Sequence, residues 1–238
     1  MTETVDLAAI KCKIIEKLTA SGWAQKLRGY LQSADFDNVL VKLLEERDSG
    51  KRFTPPLKYV FRAFEECPHD KLKVVIVGQD PYPYMGVADG IAFSCSMSKP
   101  QPSLVKMFEA IEHTVHQGFP TYQEPDLKRW SNQGVLMLNT ALTCQIDKVG
   151  SHYHIWNDFM MYLMDMLNLT SSGLIFILMG KQAQELESYI SENHYILKTS
   201  HPASAAYNKG TWDCNDVFNK ANELIEKADG NKFNTIKW

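Results

Sequence analysis

A carboxylate, a carboxamide and an imidazole stand just beyond three separate apolar runs. KVVIV (73–77) leads into Gly78-Gln79-Asp80-Pro81-Tyr82, VLML (135–138) into Asn139-Thr140, and YILKT (195–199) into Ser200-His201-Pro202. A fourth run, LIFIL (174–178), leads into Met179-Gly180-Lys181-Gln182. Each run has the length and apolar content of a buried strand, and helical patterns near 103–116, 155–168, 181–190 and 214–227 alternate with them. Alternation of continuous apolar strands with helices implies a mostly parallel sheet covered on both faces. In open sheets of that kind ligands bind outside the carboxyl ends of the strands, so the four junctions are expected to meet in one crevice. Singly, each junction has a second reading. Asp before Pro commonly makes an Asx-type turn, Asn-Thr after a strand serves as a turn or cap, and a lone His is often structural. Pro81 disfavours the helical region for Asp80, which keeps the chain extended and aims the carboxylate outward.

The elements that carry these junctions fit one domain over residues 1–238, with residues 1–50 a helical lead-in patterned at 7–20 and 36–48. TPPLKYVFRAF (54–64) reads as a Pro-started helical segment between the lead-in and the first strand. Hydrophobic residues make up 45% and charged residues 22% of the chain, an ordinary balance for a protein with a sizeable core. No apolar run is long enough for a bilayer, and the first residues lack a signal-peptide layout, so a cytoplasmic (or nuclear) protein is expected. The five cysteines lie far apart with no CxxC pair, which argues for free thiols and against zinc or iron–sulfur sites. A net charge of −3 is mildly unfavourable for non-specific DNA binding. Lys99, Lys106, Lys181, Lys198 and Lys209 could form a local basic face or be solvated surface lysines.

Other motifs carry less. Gly180-Lys181 lacks the spacing and the Ser/Thr of a P-loop, and no GxGxxG follows a strand. His152 and His154 have no further ligand at metal-site spacing. Ser103, between KPQP and a helix, reads most simply as an N-cap, although a helix N-terminus is also a phosphate site.

GQDPY (78–82), GIAFS (90–94), a Pro-containing loop ending in Ser103-Leu104, LNTALT (138–143) and SHPAS (200–204) together resemble family 1 uracil-DNA glycosylases, over about residues 55–225. The resemblance implies a three-layer α/β/α sandwich with a central four-stranded, mostly parallel sheet. It implies a cofactor-free, metal-independent, monomeric hydrolase that extrudes uracil from single- or double-stranded DNA and leaves an abasic site, and it suggests DNA-mimic inhibitor proteins as further partners. Carried over by position, Asp80 positions water and stabilises the sugar cation while His201 faces uracil O2. Gln79 makes largely main-chain contacts to the base, Tyr82 walls off a thymine methyl, Phe93 stacks on the base, and Asn139 reads its polar edge. Ser103, Gly180, Lys181, Ser204, Ala205 and Tyr207 belong to loops that would grip the DNA.

Three departures stand out. Pro83 replaces a usual His, so a polar contact near the water is missing. Ala203 and Ala205 replace a backbone-gripping serine and an intercalating leucine, leaving Tyr207 or Ser204 to take over. Lys181 replaces the hydroxyl of a Gly-Ser loop with a cation. Two other readings stay open: a glycosylase-fold DNA-binding or replication-associated module with weak or altered activity, and a hydrolase of free nucleosides.

Overall fold

The computed structural model describes residues 6–120, 123–208 and 210–238. Three helices open the chain: α1 (Leu7–Thr19), α2 (Trp23–Leu31) and α3 (Ala34–Asp48). The side chain of Asp6 caps α1 by accepting from the Ala9 N–H, and Ser33 caps α3 by accepting from the Phe36 N–H. Helix α2 was not expected; its pattern is short and broken by Gly29. There follow β1 (Phe53–Thr54), α4 (Arg62–Glu66), β2 (Val74–Gly78), α5 (Pro102–Thr114), α6 (Lys128–Ser131), β3 (Val135–Asn139), β4 (Cys144–Gln145) and α7 (Tyr153–Thr170). The chain ends with β5 (Ile175–Met179), α8 (Lys181–Gln184), β6 (Tyr195–Thr199), α9 (Pro202–Tyr207) and α10 (Val217–Asp229).

The central sheet is parallel with the order β3-β2-β5-β6, flanked by helices as the sequence led us to expect. Strands β2, β3 and β5 are buried along their whole length, which is why they read as unbroken apolar runs. Edge strand β6 departs from that expectation: Tyr195 and Lys198 face solvent. A two-stranded antiparallel pair, β1 with β4, is too short to leave a sequence pattern. The run expected as one helix over 181–190 is α8 followed by a 3₁₀ stretch at Glu185–Tyr189.

The lead-in helices pack away from the sheet, against α4 and α7. Trp23 sits edge-on to Phe64 at 5.1 Å and donates from its indole N–H to the Cys67 carbonyl at 2.7 Å. Phe61, Trp156 and Phe159 extend this aromatic cluster. No helix among the described residues is long and apolar enough to cross a membrane.

Register sets the crevice. Gly78 pairs with Asn139 and Met179 with Thr199, so all four strands end at one edge. The chain leaves β2 toward β3 and leaves β5 toward β6, in opposite directions. The switch point therefore falls between β2 and β5, where Gln79-Asp80 and Gly180 emerge.

Candidate active site

At this edge a cavity of about 200 Å³ is lined by Gln79, Asp80, Tyr82, Phe93, Asn139 and His201, among others. It is smaller than the ~300–1,000 Å³ of sites for drug-sized ligands and suits a single ring. The carboxylate, carboxamide and imidazole are brought together, as are the two aromatic walls.

Asp80 is half-buried, and its two oxygens differ. Oδ2 accepts from the Tyr153 hydroxyl at 2.5 Å and from the Gly150 N–H at 3.2 Å. Oδ1 is buried and accepts no hydrogen bond from the described residues. Burial raises the carboxyl pKa, and the Tyr153 and Gly150 hydrogen bonds pull it back down.

His201 caps α9: its Nδ1 accepts from the Ala203 N–H at 3.1 Å. An Nδ1 that accepts leaves the proton of a neutral ring on Nε2. Burial lowers the His201 pKa to about 4, so the ring is neutral at physiological pH. Its segment is braced from below. Gly180 N–H and Gln184 Nε2 both donate to the Thr199 carbonyl at 2.9 Å, and the Trp212 indole donates to Ser200 at 3.1 Å. Gly180 has φ 92° and ψ 166°, backbone space reserved for glycine, and a Cβ there would lie 2.9 Å from His201 Cβ.

Asn139 is buried at the end of β3. A Cβ on its strand partner Gly78 would come within 2.7 Å of Asn139 Oδ1 and 2.9 Å of Phe93 Cζ, so glycine is what lets amide and ring converge. Phe93 is held at φ 65°, left-handed for a bulky residue, and its ring lies 5.4 Å from that of His201. The turn that imposes this is anchored by buried Asp89, which accepts from Ser94 Oγ at 2.6 Å and pairs with Arg62 at 2.7 Å. Arg62 reaches on to Asp126 at 2.7 Å. Tyr82 donates its hydroxyl to the Phe93 carbonyl at 2.9 Å, which fixes both rings. The Gln79 carbonyl is already taken by Thr140 Oγ1 at 2.9 Å and the Ala141 N–H at 3.4 Å, leaving its half-buried side chain to line the cavity.

The loop residues divide. Ser103 is not the N-cap expected from sequence: Pro102 takes the first helical position, which makes Gln101 the cap and puts Ser103 inside α5, buried at the cavity wall. Ser204 spends its hydroxyl on the His201 carbonyl at 2.8 Å. Ala205 is partly buried against the core, whereas Tyr207 is 80% exposed and lies on the cavity lining. Of the lysines, Lys106 and Lys198 pair with Glu109 and Glu187, Lys99 and Lys181 are exposed, and Lys209 lies outside the described residues. His152 is a buried partner of Glu46 at 3.0 Å and of Thr143 at 2.8 Å.

Sequence reading missed Tyr153 and Gly150, the two donors to Asp80. A tyrosine at a helix start has no pattern of its own; the available signal was Pro83, at a position where the family resemblance leads one to expect a polar side chain.

The model of the Uracil DNA glycosylase superfamily matches residues 64–226. Uracil-DNA glycosylase of Escherichia coli O81 is 37% identical over 209 residues, 86% of this chain and 90% of that protein. The Salmonella paratyphi B protein of the same name is 37% identical over 219 residues, 91% of this chain and 93% of that one. In fold, mimivirus uracil-DNA glycosylase superposes with a TM-score of 0.78 at 24% identity, over 94% of this chain and 87% of its own. A variant of the mimivirus protein in complex with UGI gives 0.76 at 25% identity, over 87% and 84%. With the family match spanning most of the fold and relatives this similar along nearly their full length, the chain belongs to the uracil DNA glycosylase superfamily.

Proposed function

We propose that the chain acts as a family 1 enzyme of this superfamily, a single catalytic unit that hydrolyses the N-glycosidic bond of uracil extruded from DNA. The observation that carries this reading is the convergence of Asp80, Asn139 and a neutral His201 on one ring-sized cavity.

Cleavage of the bond puts positive charge on the sugar and negative charge on the departing base. Asp80 answers the first: an anion about 4 Å from a cation contributes roughly 4 kcal/mol at an effective dielectric of 20. The same carboxylate positions the attacking water at the anomeric carbon, and its Oδ1 is the oxygen that no described residue occupies. His201 answers the second. Its Nε2–H donates to the developing oxyanion at O2, an interaction typically worth about 2.7–4 kcal/mol when preorganised. One carboxylate suffices because the delocalised uracil anion departs without full protonation, unlike the alkoxide of an ordinary glycoside.

Selectivity comes from the remaining wall. The Asn139 amide accepts from uracil N3–H and donates to O4, whereas cytosine presents the reverse pattern and leaves buried groups unpaired. Tyr82, pinned by its bond to Phe93, refuses the methyl of thymine. Phe93 stacks on the flipped base and offsets part of the few kcal/mol that extrusion costs. Exposed Lys181 contacts phosphate, and Tyr207 at the mouth does the wedging that half-buried Ala205 cannot. The UGI complex of the mimivirus variant supports a protein inhibitor as a further partner. The test is incubation with matched U-, T- and C-containing oligonucleotides, single and double stranded, in the presence of a chelator. Alkali-labile cleavage confined to uracil is expected; cleavage of all three, or of free deoxyuridine but not DNA, would refute the reading.

A further inference from the structure

We propose that Tyr153 is a positioning residue for the hydrolytic step: it holds Oδ2 of Asp80 and so fixes the carboxylate at the cavity wall, with the buried Oδ1 as the oxygen that no described residue occupies. The proposal rests on the reading of Asp80 given above and adds the group that orients it.

Asp80 borrows its orientation from a different stretch of chain, the loop from β4 to α7. That loop is docked beside it by four contacts in sequence: Cys144 Sγ to the Pro81 carbonyl at 3.4 Å, Asp147 N–H to the Pro83 carbonyl at 2.8 Å, Gly150 N–H to Oδ2 at 3.2 Å and Tyr153 hydroxyl to Oδ2 at 2.5 Å. Pro83 has no polar side chain to offer, yet its carbonyl receives the loop whose later residues supply both donors.

The loop is anchored at its other side. His152 is clamped between Glu46 of α3 and Thr143, Gln145 Nε2 reaches the second oxygen of Glu46 at 2.6 Å, and the Gln145 N–H donates to Ser151 Oγ at 2.8 Å. Thr143 in turn accepts from the Trp156 indole at 2.7 Å. The first turn of α7 therefore has little freedom, and Tyr153 presents its hydroxyl at a fixed place. Two donors on one oxygen and none on the other give the carboxylate a defined face, which is what directing a water requires.

Other ionisable groups face Asp80 from each neighbouring element: Cys144 on β4, whose thiol pKa Asp80 helps to raise, and His201 from α9 across the cavity. Asp147 and Lys148 on the docked loop are exposed. A charge-assisted hydrogen bond favours the ionised carboxylate, so its removal raises the pKa of Asp80.

Tyr153→Phe deletes one oxygen and keeps the ring. In single-turnover assays at saturating enzyme, the variant is expected to lose at least about tenfold in rate, with the acidic limb of its pH–rate profile about one unit higher than wild type. Half-saturating enzyme concentration stays within about twofold, since the Asn139, Phe93 and phosphate contacts are untouched and only the side-chain hydrogen bond to Gln79 is lost with the hydroxyl, and Tyr153→Phe in an Asp80→Asn background adds no further loss. An unchanged rate, or a fall in rate with an unmoved acidic limb, overturns the proposal and leaves Tyr153 a packing residue. If Asp80→Asn alone keeps wild-type activity, the reading of Asp80 fails and this one with it, a result separable from the Tyr153 outcomes.

Discussion

In the proposed function His201 acts as a neutral donor, and that can be separated from action as an imidazolium. Its Nδ1 is occupied by the Ala203 N–H at 3.1 Å, and burial holds its pKa at about 4. At pH 7.5 only about one molecule in three thousand then carries an imidazolium. Replacing the ring by alanine removes one preorganised oxyanion donor and is expected to slow the chemical step about 10²–10³-fold, corresponding to roughly 2.7–4 kcal/mol. The assay is single-turnover release of uracil from an end-labelled oligonucleotide, read by alkaline cleavage, for wild type and His201→Ala from pH 5.5 to 8.5. Protonation of Asp80 affects both proteins alike and cancels in the ratio of rates. A neutral donor makes that ratio constant across the range. A ratio that collapses toward one as pH rises through 6 to 7 would mean that the charged ring does the work, and a ratio below about ten throughout would remove His201 from the oxyanion site.

The same burial has a signature in stability. A histidine whose folded pKa lies below its unfolded value of 6.5 contributes stability that is full above 6.5 and is lost as pH falls toward 4. Wild type should therefore lose about 3 kcal/mol relative to His201→Ala between pH 7 and pH 4 in denaturant titrations, and parallel curves would contradict it. Gly180→Ala forces a side chain into glycine-only backbone space and against His201 Cβ; we expect a loss of about 1–3 kcal/mol by the same titration together with reduced activity, and a neutral result would show that this loop does not back the imidazole. Tyr207→Ala removes a residue that is 80% exposed, so stability should stay within about 0.5 kcal/mol while activity on duplex falls about tenfold and activity on single strands does not; equal activity on duplex would show that Tyr207 is not the wedge.

What the sequence showed and what it hid follow from range. Strands β2, β3 and β5 were legible because burial on both faces demands continuous apolar residues, and the residues beyond them were legible as site candidates because parallel strands end together. The Asp80, Asn139 and His201 junctions needed only that rule, while the roles of Phe93 and Tyr82 came from resemblance to a family. Contacts made between distant segments left no local trace. Nothing in GIAFS announces that Arg62 and Asp89 brace the turn holding Phe93 at a positive φ, nor does SHYHIW announce that its tyrosine serves a carboxylate 73 residues earlier. Ser103 was misplaced by one turn-level detail, the preference of Pro102 for the first helical position.

The most direct test of the account is the single-turnover rate of Asp80→Asn on a uracil-containing oligonucleotide at saturating enzyme. The substitution keeps shape and removes the charge that the proposed function sets against the sugar cation. The expected loss is about 10³-fold, the rate equivalent of roughly 4 kcal/mol, with uracil-DNA binding retained. A rate within a few-fold of wild type would contradict it.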